Sequence, residues 1–414
     1  MTGPTLQKFF IKPDKDYYIW APNALTGLKL AAEQNLLLHV TGGRIAARQN
    51  LPAELIPSVV KKHDNFITLA EDTTLLPSLI DAHVHLALDG EDFKQSRMCW
   101  DDWQTMLPRL ESAKDQYLQA GIAHIRDGGD LTGINLKAKK IFNSEAGCGL
   151  QVMATGEAVR PKNGYGAFLG RGYSSPKEIE GLVESHVLSG ADQIKVVISG
   201  VVSFERYGEV EGPLIPQNEL TLVTRLAHHK GLKVMAHASS DAAVKLALKA
   251  GVDSVEHGYF VGHDSLKVMA EKEIAWLPTI IPVAIQTRMP YSKERSTREI
   301  DVITRTYEEQ IEKLSCAAEF GVPLGVGTDA GASGVRHGVS LFEEMLLFAK
   351  STLDNRSILQ AATVGNAAIL GLGKENGSID KGRKANLIAV RGNPLDNLGA
   401  LSEIVAHFIP LSNV

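Results

Sequence analysis

The 414-residue sequence predicts an α/β protein: a (β/α)8 TIM-type barrel over residues 75–376, with a small β-sandwich built from segments 1–74 and 377–414. Three observations carry this expectation. From residue 75 to residue 329, eight apolar runs of strand length alternate with stretches of helical periodicity. The runs are apolar almost throughout, as parallel strands buried on both faces are. Eight such units in roughly 250–300 residues match the size of a closed barrel. An open doubly wound sheet is the rival, but no G-x-G-x-x-G follows the first run.

The elements follow in order. Residues 1–74 lack helical periodicity and hold short apolar runs at 36–40 and 66–69, with a turn at Gly42-Gly43. That is the pattern of short strands, and an irregular arm would leave the runs unburied. Segment 75–88, LLPSLIDAHVHLAL, reads as the first barrel strand. The next seven strands are expected at 122–126, 150–155, 193–198, 233–238, 252–257, 274–280 and 322–329. They follow helices at 102–119, 134–143, 175–188, 217–230, 241–250, 264–272 and about 293–319, several of them stopped by a glycine. A further helix starts at Ser340, with Glu343 placed for a capping box, and another spans 356–370. In GSIDKGRKANLIAVRG, Gly382 and Gly392 flank the apolar run 387–390, so the C-terminus is expected to rejoin the N-terminal strands.

Composition excludes several classes of function. At 44% hydrophobic and 22% charged residues the chain can bury a full core. A net charge of -5 and a pI near 6.2 give no electrostatic footprint for nucleic acid or an anionic membrane. Cys99, Cys148 and Cys316 are odd in number and widely spaced, which is neither a disulfide framework nor a zinc finger. The opening MTGPTLQKFFIKPDK has no apolar leader region, and no apolar run is long enough to span a bilayer. A reducing cytoplasm and a small-molecule partner are the expectation.

In a (β/α)8 barrel, chemistry collects at the C-terminal ends of the strands. Strand 1 ends with His83 and His85, which alternation places on one face. Strand 4 carries Lys195, strand 5 ends with His237, strand 6 with His257 and strand 8 with Asp329. Each has a plainer reading alone: a rim histidine, a turn or cap aspartate, a lysine whose stem packs while its head reaches water. Together the plain readings lose, because five separate strand ends would carry ligand-type residues by chance. Lys195 cannot bind a metal as an ammonium. Buried in a strand, its pKa falls, and the neutral amine can add carbon dioxide to give a carbamate. Four imidazoles, one carboxylate and one carbamate make a two-metal site.

HVH on strand 1, a strand-4 lysine, HA on strand 5, EHG on strand 6 and GTDAG on strand 8 resemble the amidohydrolase superfamily. So do ATVGNAAILGLG (362–373) and GSIDKGRKANLIAVRGNPLDNL (377–398), and the chain is most similar to the imidazolonepropionase-like branch that includes metal-dependent Xaa-Pro dipeptidases. The resemblance implies that His83, His85 and Asp329 hold a more buried metal and His237 and His257 an outer one, with carboxylated Lys195 between them. Two Zn2+ ions per chain are implied, another divalent metal remaining open. A metal-bridging hydroxide would attack the carbonyl, and Asp329 would pass its proton to the leaving nitrogen. The implied reaction is cleavage of the C–N amide bond of a dipeptide or N-acyl amino acid. Hydrolysis of a cyclic amide (imidazolone- or lactam-like) or a lactone is the alternative. A non-catalytic binding module is the distant third, since it predicts lost ligands and all six are present. A homo-oligomer is left open by analogy with the branch.

Two loops depart from the branch: Ser199-Gly200-Val201 stands where Ser-Gly-Gly is common, and Gly164-Tyr165-Gly166 where Gly-His-Gly is. The loops after strands 3, 4 and 8 supply Arg160, Tyr165, Tyr207 and His337 as candidates for substrate binding, with arginine best suited to a carboxylate by its fork geometry. Solvated loop residues are the plain reading for most of them, and Tyr165, between two glycines, is the strongest candidate. Segment 89–103, with Trp100 and Trp103, either covers the pocket or starts the first helix.

Overall fold

The computed structural model describes residues 6–60, 63–144 and 149–411. The N-terminal segment forms β1 (Gln7–Ile11), β2 (Tyr17–Thr26), β3 (Ala31–Thr41), β4 (Arg44–Asn50), β5 (Phe66–Thr68) and β6 (Thr73–Pro77). The parallel strands follow: β7 (Leu79–Val84), β8 (Ile122–Asp127), β9 (Gln151–Ala154), β10 (Gln193–Val197), β11 (Lys233–Ala238), β12 (Ser254–His257) and β13 (Ala275–Leu277). The chain closes with β14 (Leu387–Arg391) and β15 (Ile404–Pro410).

The two ends of the chain do share a sheet, in the order β1-β15-β14-β6-β2-β3-β4 with β5 on β2. It is one curled sheet. Arg44 on β4 pairs antiparallel with Lys384 just before β14, Ile45 N–H donates to Arg383 O (2.9 Å) and Ala385 N–H to Gly43 O (2.9 Å). The curl encloses Ile19, Leu36, Leu38, Leu75, Leu387 and Phe408, so alternate residues of each strand fill a core of their own.

The expected first strand, 75–88, is two strands. β6 pairs with β14 in the terminal sheet, and β7 pairs with β8. Between them the chain changes partners: Ser78 N–H donates to Asn386 O (3.0 Å), and Leu79 N–H to Gly121 O (2.9 Å). Pro77 has no N–H to continue a ladder, which favours a break at that point.

β7–β8–β9 form one parallel arc and β10–β11–β12–β13 another. Backbone bonds join them: Val159 N–H to Lys195 O (2.8 Å) on one side, and on the other Trp276 N–H to Pro323 O (2.9 Å), Ala82 N–H to Val326 O (3.1 Å) and Asp329 N–H to His83 O (2.7 Å). The architecture is α/β of the TIM-barrel type. The eighth strand expected at 322–329 has no regular ladder, only single pairs at Leu324 and Ala330. A side chain supplements these backbone bonds. Asn366 accepts from Val326 N–H (3.1 Å) and donates to Ile80 O and Val326 O (2.7 Å each). The approach requires glycine: a Cβ on Gly325 would meet Asn366 Oδ1 at 2.6 Å, and one on Gly327 would meet His83 Cβ at 2.7 Å.

Helices flank the arcs, packed through Leu220, Val244, Leu266 and Leu314, among others. The expected capping box at Ser340/Glu343 is absent, because the helix Val339–Phe348 has Gly338 at its N-cap and Ser340 lies within the first turn. A real box, Ser296/Glu299, opens the helix Thr297–Phe320, which ends at Gly321 with φ +79°. The helix expected at 356–370 is interrupted by a π turn, Ala361–Gly365, immediately before Asn366. Among the described residues, no helix is long and apolar enough to cross a membrane.

Candidate metal centre

Strand register sets most of the site. Val197 pairs with His237 and Ala238 with His257, so Lys195 on β10, His237 on β11 and His257 on β12 arrive at the same end of their arc. His83 lies on β7 and His85 just beyond it, and Asp329 is tied to β7 through its own N–H. The six residues expected as ligands lie at this end, and His83, His85 and Asp329 stand close enough together for one ion.

His83 Nε2 and His85 Nε2 stand 3.6 and 3.2 Å from Asp329 Oδ1. The ligand atoms of these three lie within 4.8 Å of one another. Ligands about 2.0–2.2 Å from a tetrahedral ion stand roughly 3.3–3.6 Å apart, so small side-chain adjustments suffice for one cation. Lys195 Nζ is 3.3 Å from His83 Nε2. The His257 ring lies 5.2 Å from that of His83 and 4.4 Å from that of His237, centroid to centroid.

The outer contacts of each imidazole decide which nitrogen faces the centre. His83 Nδ1 is 2.8 Å from Glu256 Oε2, and His85 Nδ1 donates to Gly129 O (3.0 Å). His257 Nδ1 donates to Thr279 Oγ1 (2.7 Å), whose own hydrogen goes to Pro278 O (2.7 Å). In each of the three, Nε2 keeps its lone pair for the interior. His237 is reversed: Nε2 faces Gly200 O (3.2 Å) and Ser239 Oγ (3.3 Å), and Nδ1 has no hydrogen-bond partner among the described residues. Gly128 supplies the room, since a Cβ there would fall 2.8 Å from His85 Cε1 and 3.3 Å from His83 Nε2. The donor set therefore fits divalent cations.

The charges agree with this. Burial alone would raise the Asp329 carboxyl, yet the His83 and His85 imidazoles hold it well below the usual range. Burial, together with Lys195, pushes His83 down to about 4. Burial brings Lys195 down to about 8. Burial and the neighbouring His237 hold His257 well below the ordinary histidine value. Burial favours neutral His83, His237 and His257, whereas at His85 the push of burial is outweighed by Asp329, which raises that imidazole.

Three non-glycine residues at this end of the fold have left-handed backbones: His257 (φ +70°), Thr279 (+47°) and Asp329 (+56°). Such conformations cost on the order of 1–3 kcal/mol each and concentrate at functional sites. At His257 the geometric consequence is visible. Strict alternation would send Glu256 and His257 to opposite faces, yet both reach His83.

Sequence reasoning passed over the support beneath the centre. Glu256 is fully buried and accepts both Nη2 bonds of Arg126 (2.9 and 3.0 Å), and burial's upward push on it is overcome by Arg126 and His83, leaving it at about 2. Arg126 also donates to Ala82 O, Gln193 Oε1 and Ser254 Oγ. Asp81 accepts from Thr328 N–H (3.0 Å) and Thr328 Oγ1 (2.7 Å), fixing the segment that carries Asp329. The available signals were Asp81, two residues before His83 in IDAHVH, and Glu256 in the EHG triplet itself.

A cavity of about 550 Å³ opens onto the centre and is lined by Lys195, His237, His257 and Asp329. Tyr165 lines it too, its ring 5.4 Å from that of His237. The other candidates for substrate binding lie elsewhere. Arg160 is buried behind the loop and donates to the carbonyls of Tyr165 (2.8 Å), Lys162 (3.1 Å), Gly164 and Gly170 (3.1 Å). His337 bridges Tyr117 Oη (2.7 Å) and Leu88 O (2.8 Å). Tyr207 lies at the surface against Phe260, its hydroxyl on Glu309. Of segment 89–103, Phe93 reaches the cavity, while Trp100 is buried with its indole N–H on Ala87 O (2.7 Å), and Trp103 opens the following helix. Both departing loops bear on the site: Tyr165 and Val201 line the cavity, and Gly200 O receives His237.

The amidohydrolase family model matches residues 74–410. An ochratoxinase of Aspergillus niger is 23% identical over 364 residues, 80% of this chain and 72% of that one. An imidazolonepropionase of Clostridium tetani is 22% identical over 408 residues, 87% of each chain. The solved structure of a Xaa-Pro dipeptidase with methionine bound in its active site superposes with a TM-score of 0.77 at 23% identity, covering 94% of this chain and 97% of that one.

Proposed function

We infer the reaction from one premise: the chain belongs to the amidohydrolase family and is a hydrolase acting on carbon–nitrogen bonds. We propose that it cleaves the linear amide of a dipeptide or N-acyl amino acid at a two-metal centre. His83, His85 and Asp329 would hold one cation and His237 and His257 the other, with Lys195 as a carbamate between them, on a closed barrel spanning residues 75–376. The observation that carries this is the convergence of His83, His85 and Asp329 within one cation's reach at the floor of a cavity.

Divalent cations, zinc foremost for this ligand set, supply a water acidified toward neutral pH and a Lewis acid for the amide carbonyl. The chain's own residues do the rest. Asp329, held as a carboxylate, accepts the attacking water's proton and returns it to the leaving nitrogen. Glu256 and Gly129 O fix the His83 and His85 rings from behind, and Thr279 and Gly200 O do the same for His257 and His237. Lys195 Nζ, fully buried, reacts as the free amine: its lone pair forms a bond to carbon dioxide and one N–H proton is released, leaving an anionic carbamate. That adds a second negative ligand where Asp329 alone would face two dications.

The test is turnover of dipeptides, N-acyl amino acids, lactams and lactones by metal-loaded protein, followed as amine release or ring opening. Amine release that a chelator abolishes and zinc restores supports the reading. Turnover confined to the cyclic substrates would replace it with the cyclic-amide or lactone reading.

A further inference from the structure

Most of the cavity wall is apolar: Phe93, Phe168, Val202, Phe204, Tyr259 and Val283 face it. Against this wall stands a guanidinium. Apart from Lys195 on the floor, Arg295 is the only lysine or arginine among the described lining residues. It comes from the turn after Tyr291–Glu294, just ahead of the helix Thr297–Phe320. Its guanidinium carbon sits 4.9 Å from the Phe204 ring centroid, a cation–π contact that holds the group against the wall.

Arg295 is under-satisfied. Nη2 donates to Gln286 Oε1 (3.2 Å) and Nη1 to Glu299 Oε1 (3.4 Å), both long, while buried Nε has no partner among the described residues. That engages two of the five N–H donors of a guanidinium. Glu299 is only part of a counter-ion, because its other oxygen takes the N–H and hydroxyl of Ser296 in the helix cap (2.8 Å each). Gln286, which also lines the cavity, is itself held by donation to Ser333 O (2.9 Å). A braced guanidinium with free donors, over an aromatic ring at an apolar cavity, is suited to a carboxylate carried on an otherwise apolar molecule.

We propose that Arg295 is the specificity-determining residue, binding the carboxylate of an N-acyl amino acid whose bulky apolar groups are enclosed by Phe93, Phe168 and Phe204. This rests on the amide-hydrolase reading and narrows its substrate to acidic amides with a large apolar or aromatic body. The recognition is by charge at one end and by area at the other.

The test separates binding from turnover. N-benzyl-L-phenylalanine and N-benzyl-L-phenylalaninol have an amine in place of the amide, cannot be hydrolysed, and differ only in the carboxylate. Calorimetry on metal-loaded protein should show the acid binding roughly 10- to 100-fold more tightly, the worth of a charge-assisted hydrogen-bond pair. In Arg295→Ala the preference should collapse to within about threefold with alcohol binding unchanged, and Arg295→Lys should be intermediate because it keeps the charge and loses the fork. An acid preference that survives in Arg295→Ala, or its absence in the parent, overturns the proposal. Turnover of N-benzoyl-L-phenylalanine against N-benzoyl-L-phenylalaninol is read separately. Intact acid selectivity without turnover of either would sink the hydrolase reading while leaving the role of Arg295 standing.

Discussion

Glu256→Gln is the most informative single change, because it alters charge and almost nothing else. Glu256 is fully buried, receives two bonds from Arg126, itself 1% exposed, and lies 2.8 Å from His83 Nδ1. Glutamine keeps the shape but leaves Arg126 a buried cation without a carboxylate. Removing one partner of a buried pair costs about 3–5 kcal/mol, and the remaining amide oxygen recovers part of it, so a loss of roughly 2–4 kcal/mol is expected. Independently, His83 loses the carboxylate that orients its ring, a change that typically weakens metal binding about 10- to 100-fold.

The two effects separate in the double variant Arg126→Met/Glu256→Gln. With both charges gone, stability should return to within about 1–2 kcal/mol of the parent, since a buried pair contributes little net stability over an apolar replacement. Metal affinity should stay low, because nothing charged stands behind His83. Urea unfolding in the presence of chelator reads the first quantity, free of metal linkage. Competition with a chromogenic chelator reads the second. Metal affinity within twofold of the parent in Glu256→Gln, or affinity recovered in the double variant, would refute the idea that Glu256 acts on the metal through His83.

Gly128→Ala should weaken metal binding by an order of magnitude or more without unfolding the chain. Its backbone is not in the left-handed region, and the nearest atoms an added Cβ would meet belong to the rings of His85 and His83; near-parent affinity by the same competition assay would contradict this. Asp329→Asn should lower kcat about 10²- to 10⁴-fold on any substrate the parent turns over, the usual worth of a positioned acid–base group, and unchanged kcat would remove Asp329 from proton transfer. Acid sensitivity should come partly from His407, whose nitrogens face Ser78 Oγ (3.1 Å) and Leu118 O (3.0 Å) and whose pKa burial pushes down to about 4. Its folded value lies below the unfolded value of about 6.5, so the unfolded chain binds the extra proton and stability falls as pH drops from about 6.5 toward 4. His407→Gln should flatten roughly 2–3 kcal/mol of that slope, measured by urea unfolding at pH 7 and pH 4.5. An unaltered slope would show that His407 is not the titrating group.

The gathering of His83, His85, Lys195, His237, His257 and Asp329 in one place was legible because each stands at the end of an apolar run, where residue type and position can be read together. Their supports were not. Glu256 looks like an outward residue until the left-handed backbone of His257 breaks the alternation, and a φ value is invisible in a residue string. Arg160 shows the converse: an arginine in a loop was expected to bind substrate, but nearby backbone carbonyls engage its donors. Arg295 passed unnoticed because its place on the cavity depends on how one turn packs against Phe204. At fold level, the apolar run at 322–329 marks an eighth strand but not its irregular pairing, which depends on the side chain of Asn366, 40 residues after Val326, bonding into it. The split at Ser78 escaped it because both halves of 75–88 are equally apolar, and only their partners differ.

The central claim is a two-metal centre organised around Lys195, and metal content per chain tests it most directly. Elemental analysis of purified, zinc-loaded protein should give about two ions per chain, and Lys195→Ala should lose at least one together with activity. A short carboxylic acid, standing in for the carbamate, should restore part of both. One ion per chain in the parent, unchanged in Lys195→Ala, would contradict the claim.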